Sequence, residues 1–288
     1  MEIQLGTYEI KPAEKAPKRL AMLIWGDAGG GKSTLAATTP GKKLWILFDD
    51  SGLDSITGLK LQLAETHPNY AGALSNDILV LDLSAERNNI IDKFKQDDPL
   101  GLSKVLSDDN LGIDTVVVDS VTRISQMALE HMISTGIHKS AKLELPGMGS
   151  YGGRNALMLR MFTTIMNVTA KYNKNVVFIA HEGAPSTNDD GAVTGISMSL
   201  GGQLPQLITQ KLGEVWYLRD STKNGRELFL RPFQYYKPMK SRIFNLSDGK
   251  PGSFKWKYDI DNPNVDFEIA TFYKQWQDGN FKKLSIPT

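Results

Sequence analysis

The run Gly26-Asp27-Ala28-Gly29-Gly30-Gly31-Lys32-Ser33 fits the pattern G-x-x-x-x-G-K-[ST], and it stands between an apolar run and a helix-forming one, the context that the pattern requires. Residues 20–25 (LAMLIW) suit a buried parallel strand, while residues 32–39 (KSTLAATT) start a helix that Pro40 and Gly41 stop. Glycines let the backbone curl until successive N–H groups point at phosphate oxygens, and a helix N-terminus adds the positive end of its dipole. In such a loop Lys32 reaches the β and γ phosphates and the Ser33 hydroxyl is placed for Mg²⁺. The eight residues of the pattern and the adjoining Thr34 are therefore expected to hold a nucleoside triphosphate.

With 288 residues the chain is long enough for one large α/β core, and its length allows two domains without demanding them. Lys and Arg number 33 against 32 Asp and Glu, so no global field announces a nucleic-acid partner and any such surface must be local. The lack of cysteine excludes a disulfide scaffold and a thiolate metal site, and it fits a reducing compartment. The opening MEIQLGTYEIKPAEK has no basic segment followed by an apolar one, and no apolar stretch is long enough to span a bilayer. A soluble, cytoplasmic protein without membrane partners is the expectation.

Further apolar runs follow at residues 43–48 (KLWILF), ending in Asp49 and Asp50, and at 78–83 (ILVLDL). Residues 86–95 and 101–106 read as helix, and 114–119 (DTVVVD) is a β-branched, continuous run suited to a sheet centre. Helical spacing marks residues 120–134 and 156–172, with a polar, glycine-rich loop at 135–153 between them. A buried strand at 175–180 (NVVFIA) leads to a second glycine-rich loop at 183–202, a helix at 204–212, and late strands at 215–218, 227–232 and 241–244. The alternation predicts an α/β fold, a doubly wound, mostly parallel sheet with late antiparallel strands. It divides into an N-terminal extension (1–19), a core (20–245) and a tail (246–288) whose Trp256, Phe267, Phe272, Tyr273 and Trp276 pack on the core or on a neighbour.

Open α/β sheets bind ligands at the carboxyl edge of their strands. Asp119, closing TVVVD, is the natural carboxylate for Mg²⁺, a hard group for a hard cation that keeps most of its waters. Asp50, with Asp49 as its close alternative, is placed to orient or deprotonate an attacking water. His181 ends NVVFIAH, where it can hydrogen-bond a γ phosphate and report its loss to the loop that follows. Lys240-Ser241-Arg242, read as strand, puts two cations on one face. The first loop holds His138, Lys139, Lys142 and Tyr151, with Arg154 just beyond, cations for phosphates and an aromatic for a base. The second loop has Asp189 and Asp190 and no Lys or Arg, which repels a phosphate backbone unless only its amides make contact. Residues 211–257 carry more cations than acids, as a subunit contact, a nucleic-acid face or solvated strands.

The order of these elements resembles the RecA family of recombinase ATPases. GDAGGGKST, IDTVVVDSVT, YGGRNALML, VVFIAHE, SLGGQLPQLI and KSR are similar to segments of the short RecA-like ATPases of bacteriophages, among them the Sak-type single-strand annealing and recombination proteins, over about residues 18–245. The resemblance implies a RecA-like P-loop core, ATP and Mg²⁺ as cofactors, and head-to-tail assembly into a ring or filament. It also implies single-stranded DNA held by the two loops, and a phage single-strand binding protein as a further partner. Lys240 and Arg242 would then reach a neighbouring subunit's nucleotide. A helicase-like or packaging motor shares this core, and a nucleotide-dependent switch without DNA activity is compatible with the acidic second loop. A small-molecule kinase fits less well, because no Arg-rich lid is evident.

Overall fold

A computed structural model describes residues 3–5, 8–10, 18–49, 78–86, 89–94, 97–135, 146–221, 225–246, 252–257 and 265–287. β1 (Ile3–Leu5) and β2 (Tyr8–Ile10) form a small antiparallel pair. Next come β3 (Ala21–Gly26), α1 (Lys32–Ala37), β4 (Lys42–Leu47), β5 (Ile78–Asp82), α2 (Asn89–Lys93) and α3 (Leu102–Leu106). β6 (Ile113–Asp119), α4 (Val121–Ser134), α5 (Met148–Lys171) and β7 (Asn175–His181) complete the centre. β8 (Ser186–Thr187), β9 (Val193–Gly195), α6 (Leu204–Lys211), β10 (Glu214–Ser221), β11 (Gly225–Phe229), β12 (Ser253–Lys255) and α7 (Ile269–Asp278) follow.

Eight strands form one sheet in the order β12-β11-β10-β3-β7-β6-β4-β5. The run from β10 to β5 is parallel throughout, while β11 and β12 are antiparallel additions. The doubly wound, mostly parallel sheet with late antiparallel strands that the sequence predicts is therefore what the chain forms.

The apolar runs are continuous because both faces of these strands are covered. Leu23, Trp25, Val116, Val118 and Phe178 point to one layer with Met127, Phe162, Ile165 and Ile208 from α4, α5 and α6. Their sequence neighbours Met22, Ile24, Val117, Val177 and Ile179 point to the other, with Leu35 and Ala36 of α1 and Phe272 of α7. Side chains alternate across a strand, so a run apolar at every position feeds two cores.

The aromatic tail supplies both β12 and α7. Phe272 meets Phe244 edge-on with centroids 5.1 Å apart and lies 5.9 Å from Phe254. The start of α7 has no cap from its own side chains. Instead Thr38, just past α1, accepts from Ile269 N on its hydroxyl (3.1 Å) and from Ala270 N on its carbonyl (2.9 Å), satisfying amides that a helix leaves open.

Three expectations need correction. Residues 148–153, read as loop, are the first turns of α5. The stretch 183–202 contains the β8–β9 hairpin, with Asp189 and Asp190 at its exposed turn. Residues 241–244 form no strand: Lys240 and Phe244 make isolated bridges, and the chain between them bends. The cause is Glu214, whose carboxylate accepts from Arg242 N (2.6 Å) and Ile243 N (3.2 Å), while Phe244 N donates to Ser241 Oγ (3.1 Å). Amides engaged by side chains cannot enter a ladder, so Lys240 and Arg242 do not share a strand face.

Phe272→Ala should cost about 3–5 kcal/mol, the usual penalty for emptying a buried aromatic site, measured by chemical denaturation. Unchanged stability would mean that α7 does not dock as described.

Candidate active site

The parallel register brings the ends of β3, β7, β6 and β4 to one edge. Gly26 lies level with His181, and Asp119 with Ile179 and Leu47, so one strand, β7, separates the glycine loop from the carboxylate. Gly26 itself is wedged against β10, where a Cβ would run into the Leu218 carbonyl oxygen. Beyond it the loop turns through Gly29 (φ 74°) and Gly31 (φ 93°), left-handed conformations that L side chains rarely adopt.

A cleft of about 270 Å³ opens there, lined by Ala28, Gly29, Gly31, Lys32, Ser33, Thr34, Asp49, Asp119, Ile179, His181 and Arg226. Within it the Ser33 hydroxyl donates to Asp119 Oδ2 at 3.0 Å, and Lys32 Nζ donates to the Asp27 carbonyl at 2.5 Å. Gly30 N also approaches that carbonyl, at 3.4 Å. The phosphate-loop residues, Asp119 and His181 thus converge on one cavity. Asp50 lies outside the described residues, and its alternative Asp49 lines the cleft.

The electrostatics are those of a mutually dependent group. Burial pushes the Asp119 carboxyl up, opposed by the Ser33 hydrogen bond and the Lys32 charge. Burial likewise pushes the Lys32 ammonium down, opposed by the carboxylates of Asp119, Asp27 and Glu182. His181 is lowered by burial and then by Lys32, with Asp49 opposing, which favours neutral imidazole at physiological pH. Such displaced groups in a cleft are what a functional site looks like. A hydroxyl beside a buried carboxylate is also a donor set suited to a hard, hydrated cation, so Ser33 and Asp119 fit Mg²⁺.

Two nearby groups escaped the sequence reading. Glu182 follows His181 and donates its N–H to the Gly26 carbonyl (2.9 Å), while its Oε2 accepts from Tyr217 OH (2.7 Å). Burial raises the Glu182 carboxyl, and burial together with Glu182 raises the Tyr217 phenol. Arg226 belongs to β11, distant from the glycine loop in sequence. Its only sequence signal is membership of the cation-rich stretch 211–257.

Lys240 and Arg242 are elsewhere. Lys240 bridges Val215, which is in register with Leu23 near the start of β3. The exposed Arg242 borders a cleft with Lys18, Arg19, Gly213 and Tyr273 at the amino end of the sheet. Within one chain they sit at the edge opposite Lys32. Glu214, which holds their turn, is buried with its carboxyl pushed up by burial, against hydrogen bonds from Ser241, Arg242, Trp216 and Ile243.

Of the DNA candidates, Lys139 and Lys142, like His138, lie outside the described residues. Tyr151 is 43% exposed on the first turn of α5. Arg154 is half-buried, 5.3 Å from the Tyr151 ring centroid, and packs against Gly201 of the second loop. That loop borders a groove of about 440 Å³ to which Lys237 contributes a cation from outside the loop.

Comparison with known proteins adds a family match: a family model described as an AAA domain covers residues 18–243. No curated protein matches the chain. Among solved structures, a crystal structure of the RadB recombinase is similar at 18% identity with a TM-score of 0.43, covering 75% of this chain and 82% of that one. Among the described residues no helix is long and apolar enough to cross a membrane.

Because folding raises the Glu214 pKa, the folded chain holds that proton more tightly than the unfolded one. The resulting stability is complete below about pH 4.3, the ordinary glutamate value, and is lost as pH rises through the folded value. Urea unfolding should therefore show the difference between Glu214→Gln and the parent shifting in favour of the variant from pH 4 to pH 8. The opposite slope would mean that the hydrogen bonds outweigh burial.

Proposed function

The chain belongs to the AAA domain family, and from that premise we propose that it is a Mg²⁺-dependent ATPase with a RecA-like core. Its nucleotide state is coupled to single-stranded DNA binding in recombination or annealing of the bacteriophage Sak type. The observation that carries the ATPase reading is the Ser33 hydroxyl 3.0 Å from Asp119 Oδ2, in one cleft with Lys32, Asp49 and His181.

The loop's amides and Lys32 bind the triphosphate, Lys32 exchanging the Asp27 carbonyl for phosphate oxygens. The Ser33 hydroxyl would hold Mg²⁺, with Asp119 anchoring it through its waters, and the ion when bound would supply positive charge to the phosphates. A carboxylate at the end of β4 orients the attacking water: Asp49 borders the cleft, and Asp50 next to it shares the assignment. His181, which lines the cleft and is held toward its neutral form by burial, would donate a hydrogen bond to the terminal phosphate.

Coupling to DNA is supported by connectivity. The His181 carbonyl accepts from Ser199 N at 2.8 Å, so the strand end beside the nucleotide is bonded directly to the second loop. Tyr151 presents an exposed ring beside Arg154, which packs on that loop, and Lys237 places a cation on the groove that the loop itself lacks. Lys139 and Lys142 complete the proposed DNA contacts, with Arg154 of α5 packed against Gly201 of the second loop.

Subunits assemble head to tail as a ring or filament, so that Lys240 and Arg242 serve a neighbour's nucleotide. The support is that Arg242 is exposed, its backbone is fixed by the buried Glu214, and it is far from its own chain's cleft.

Lys32→Ala should abolish ATP hydrolysis, and wild-type turnover in that variant would sink the site assignment. Arg242→Ala should lower turnover by about 10³- to 10⁵-fold, as arginines supplied in trans do, while the isolated subunit binds ATP normally. Equal loss of binding and turnover would argue against a role across subunits. For DNA, the ATPase rate should rise with single-stranded DNA and the stimulation should fall steeply across a salt series. Turnover indifferent to DNA would favour a nucleotide-dependent switch, and directional unwinding would favour a helicase-like motor.

A further inference from the structure

Arg226 reaches the nucleotide cleft from β11, two strands away from β3. A side chain at Gly31 would begin 3.2 Å from Arg226 Cζ and 3.4 Å from its Nη1, so the guanidinium lies directly over the glycine loop. Two groups hold it there. Its Nε pairs with Asp220 Oδ2 at 3.5 Å, and its Cζ lies 5.7 Å from the ring centroid of Trp256. Asp220 is also the residue facing Arg226 in the β10–β11 register, and Trp256 N donates to the Arg226 carbonyl at 3.0 Å, so the arginine is fixed at both backbone and side chain. The pair with Asp220 is long and part-exposed, so an anion can displace it, and the planar guanidinium then meets phosphate in a two-pronged way.

Its position along the cleft is the informative part. Lys32 and Asp119 act on each other's charge, Asp49 acts on Asp119, and Lys32 and Asp49 act on His181, so these groups gather in one part of the cleft. Arg226 is not among the charges acting on Lys32, Asp119 or His181, and its contact is with Gly31. The amides of a loop of this pattern cradle the α and β phosphates, and a cation over that part of the loop faces the same phosphates from the other side.

We propose that Arg226 is a nucleotide-contacting residue supplied by the same chain, binding the α–β diphosphate across the glycine loop and exchanging Asp220 for phosphate as it does so. The proposal rests on the nucleotide-binding reading above, and it gives the cleft a second cation that does not discriminate between the tri- and diphosphate.

The test is the equilibrium binding of Mg²⁺-ATP and Mg²⁺-ADP by the full chain, by calorimetry, for the parent, Arg226→Ala, Arg226→Lys, Asp220→Asn and Lys32→Ala. Arg226→Ala should weaken both nucleotides to the same extent, by about 10- to 100-fold, the range for a charged hydrogen-bond pair. Arg226→Lys should recover part of the loss, having the charge without the fork. Asp220→Asn, which removes the competing carboxylate and leaves the arginine in place, should tighten both by about two- to five-fold, the strength of an exposed pair. Unchanged affinities in Arg226→Ala with Lys32→Ala impaired would overturn the Arg226 assignment and leave the nucleotide site standing. Loss for ATP alone would also overturn it, because it would make Arg226 a γ-phosphate sensor. If the parent binds neither nucleotide, the underlying reading fails together with the proposal.

Discussion

The hydrogen bond from the Ser33 hydroxyl to Asp119 joins two residues 86 positions apart, and the rest of the site is arranged around it. It exists because β6 and β3 flank β7 in one parallel register, which brings the end of β6 near the start of α1. That register is enforced from both sides: a strand buried on two faces cannot slip by a residue without moving every side chain into the wrong layer. The cost is a carboxylate in a place where burial disfavours its charge, answered by a hydroxyl and a lysine. Such strain is common where function needs a charge to be partly unmet.

The same edge joins the cleft to its surroundings through the backbone. Glu182 N donates to the Gly26 carbonyl, Ser199 N to the His181 carbonyl, and Gly183 N to the Ser197 carbonyl, so the glycine loop, β7 and the second loop are consecutive links of one hydrogen-bonded path. Tyr217 ties this path to the aromatic layer beneath it, with its hydroxyl on Glu182 and its ring 4.4 Å from Trp25. Packed rings and buried hydrogen bonds yield little, so the strand end beside the cleft and the second loop are stiffly joined.

The two ends of the sheet carry different chemistry. At the carboxyl edge lie the glycine loop, Asp119, Asp49 and His181, and at the amino edge lie Arg242 and its anchor Glu214. Glu214 does for Arg242 what the register does for Asp119: it converts a floppy attachment into a fixed one, by taking two backbone amides that a strand would otherwise have used.

The sequence by itself determined the sheet and the heart of the cleft. Continuous apolar runs such as VVVD can be satisfied only between two covered layers, and the glycine spacing admits one backbone path, so β3, β6, β7, the loop, Asp119 and His181 were legible from local pattern. Local pattern misled where a partner distant in the chain decided. Residues 241–244 carry strand-like composition, yet Glu214 claims their amides. Glycines at 152 and 153 suggested a loop where the long helix α5 had already begun. Tyr217 and above all Arg226 enter the site only because strands far apart in sequence lie side by side. Proximity between distant residues is a property of the pairing order, which no window of neighbouring residues contains, and only the folded sheet decided it.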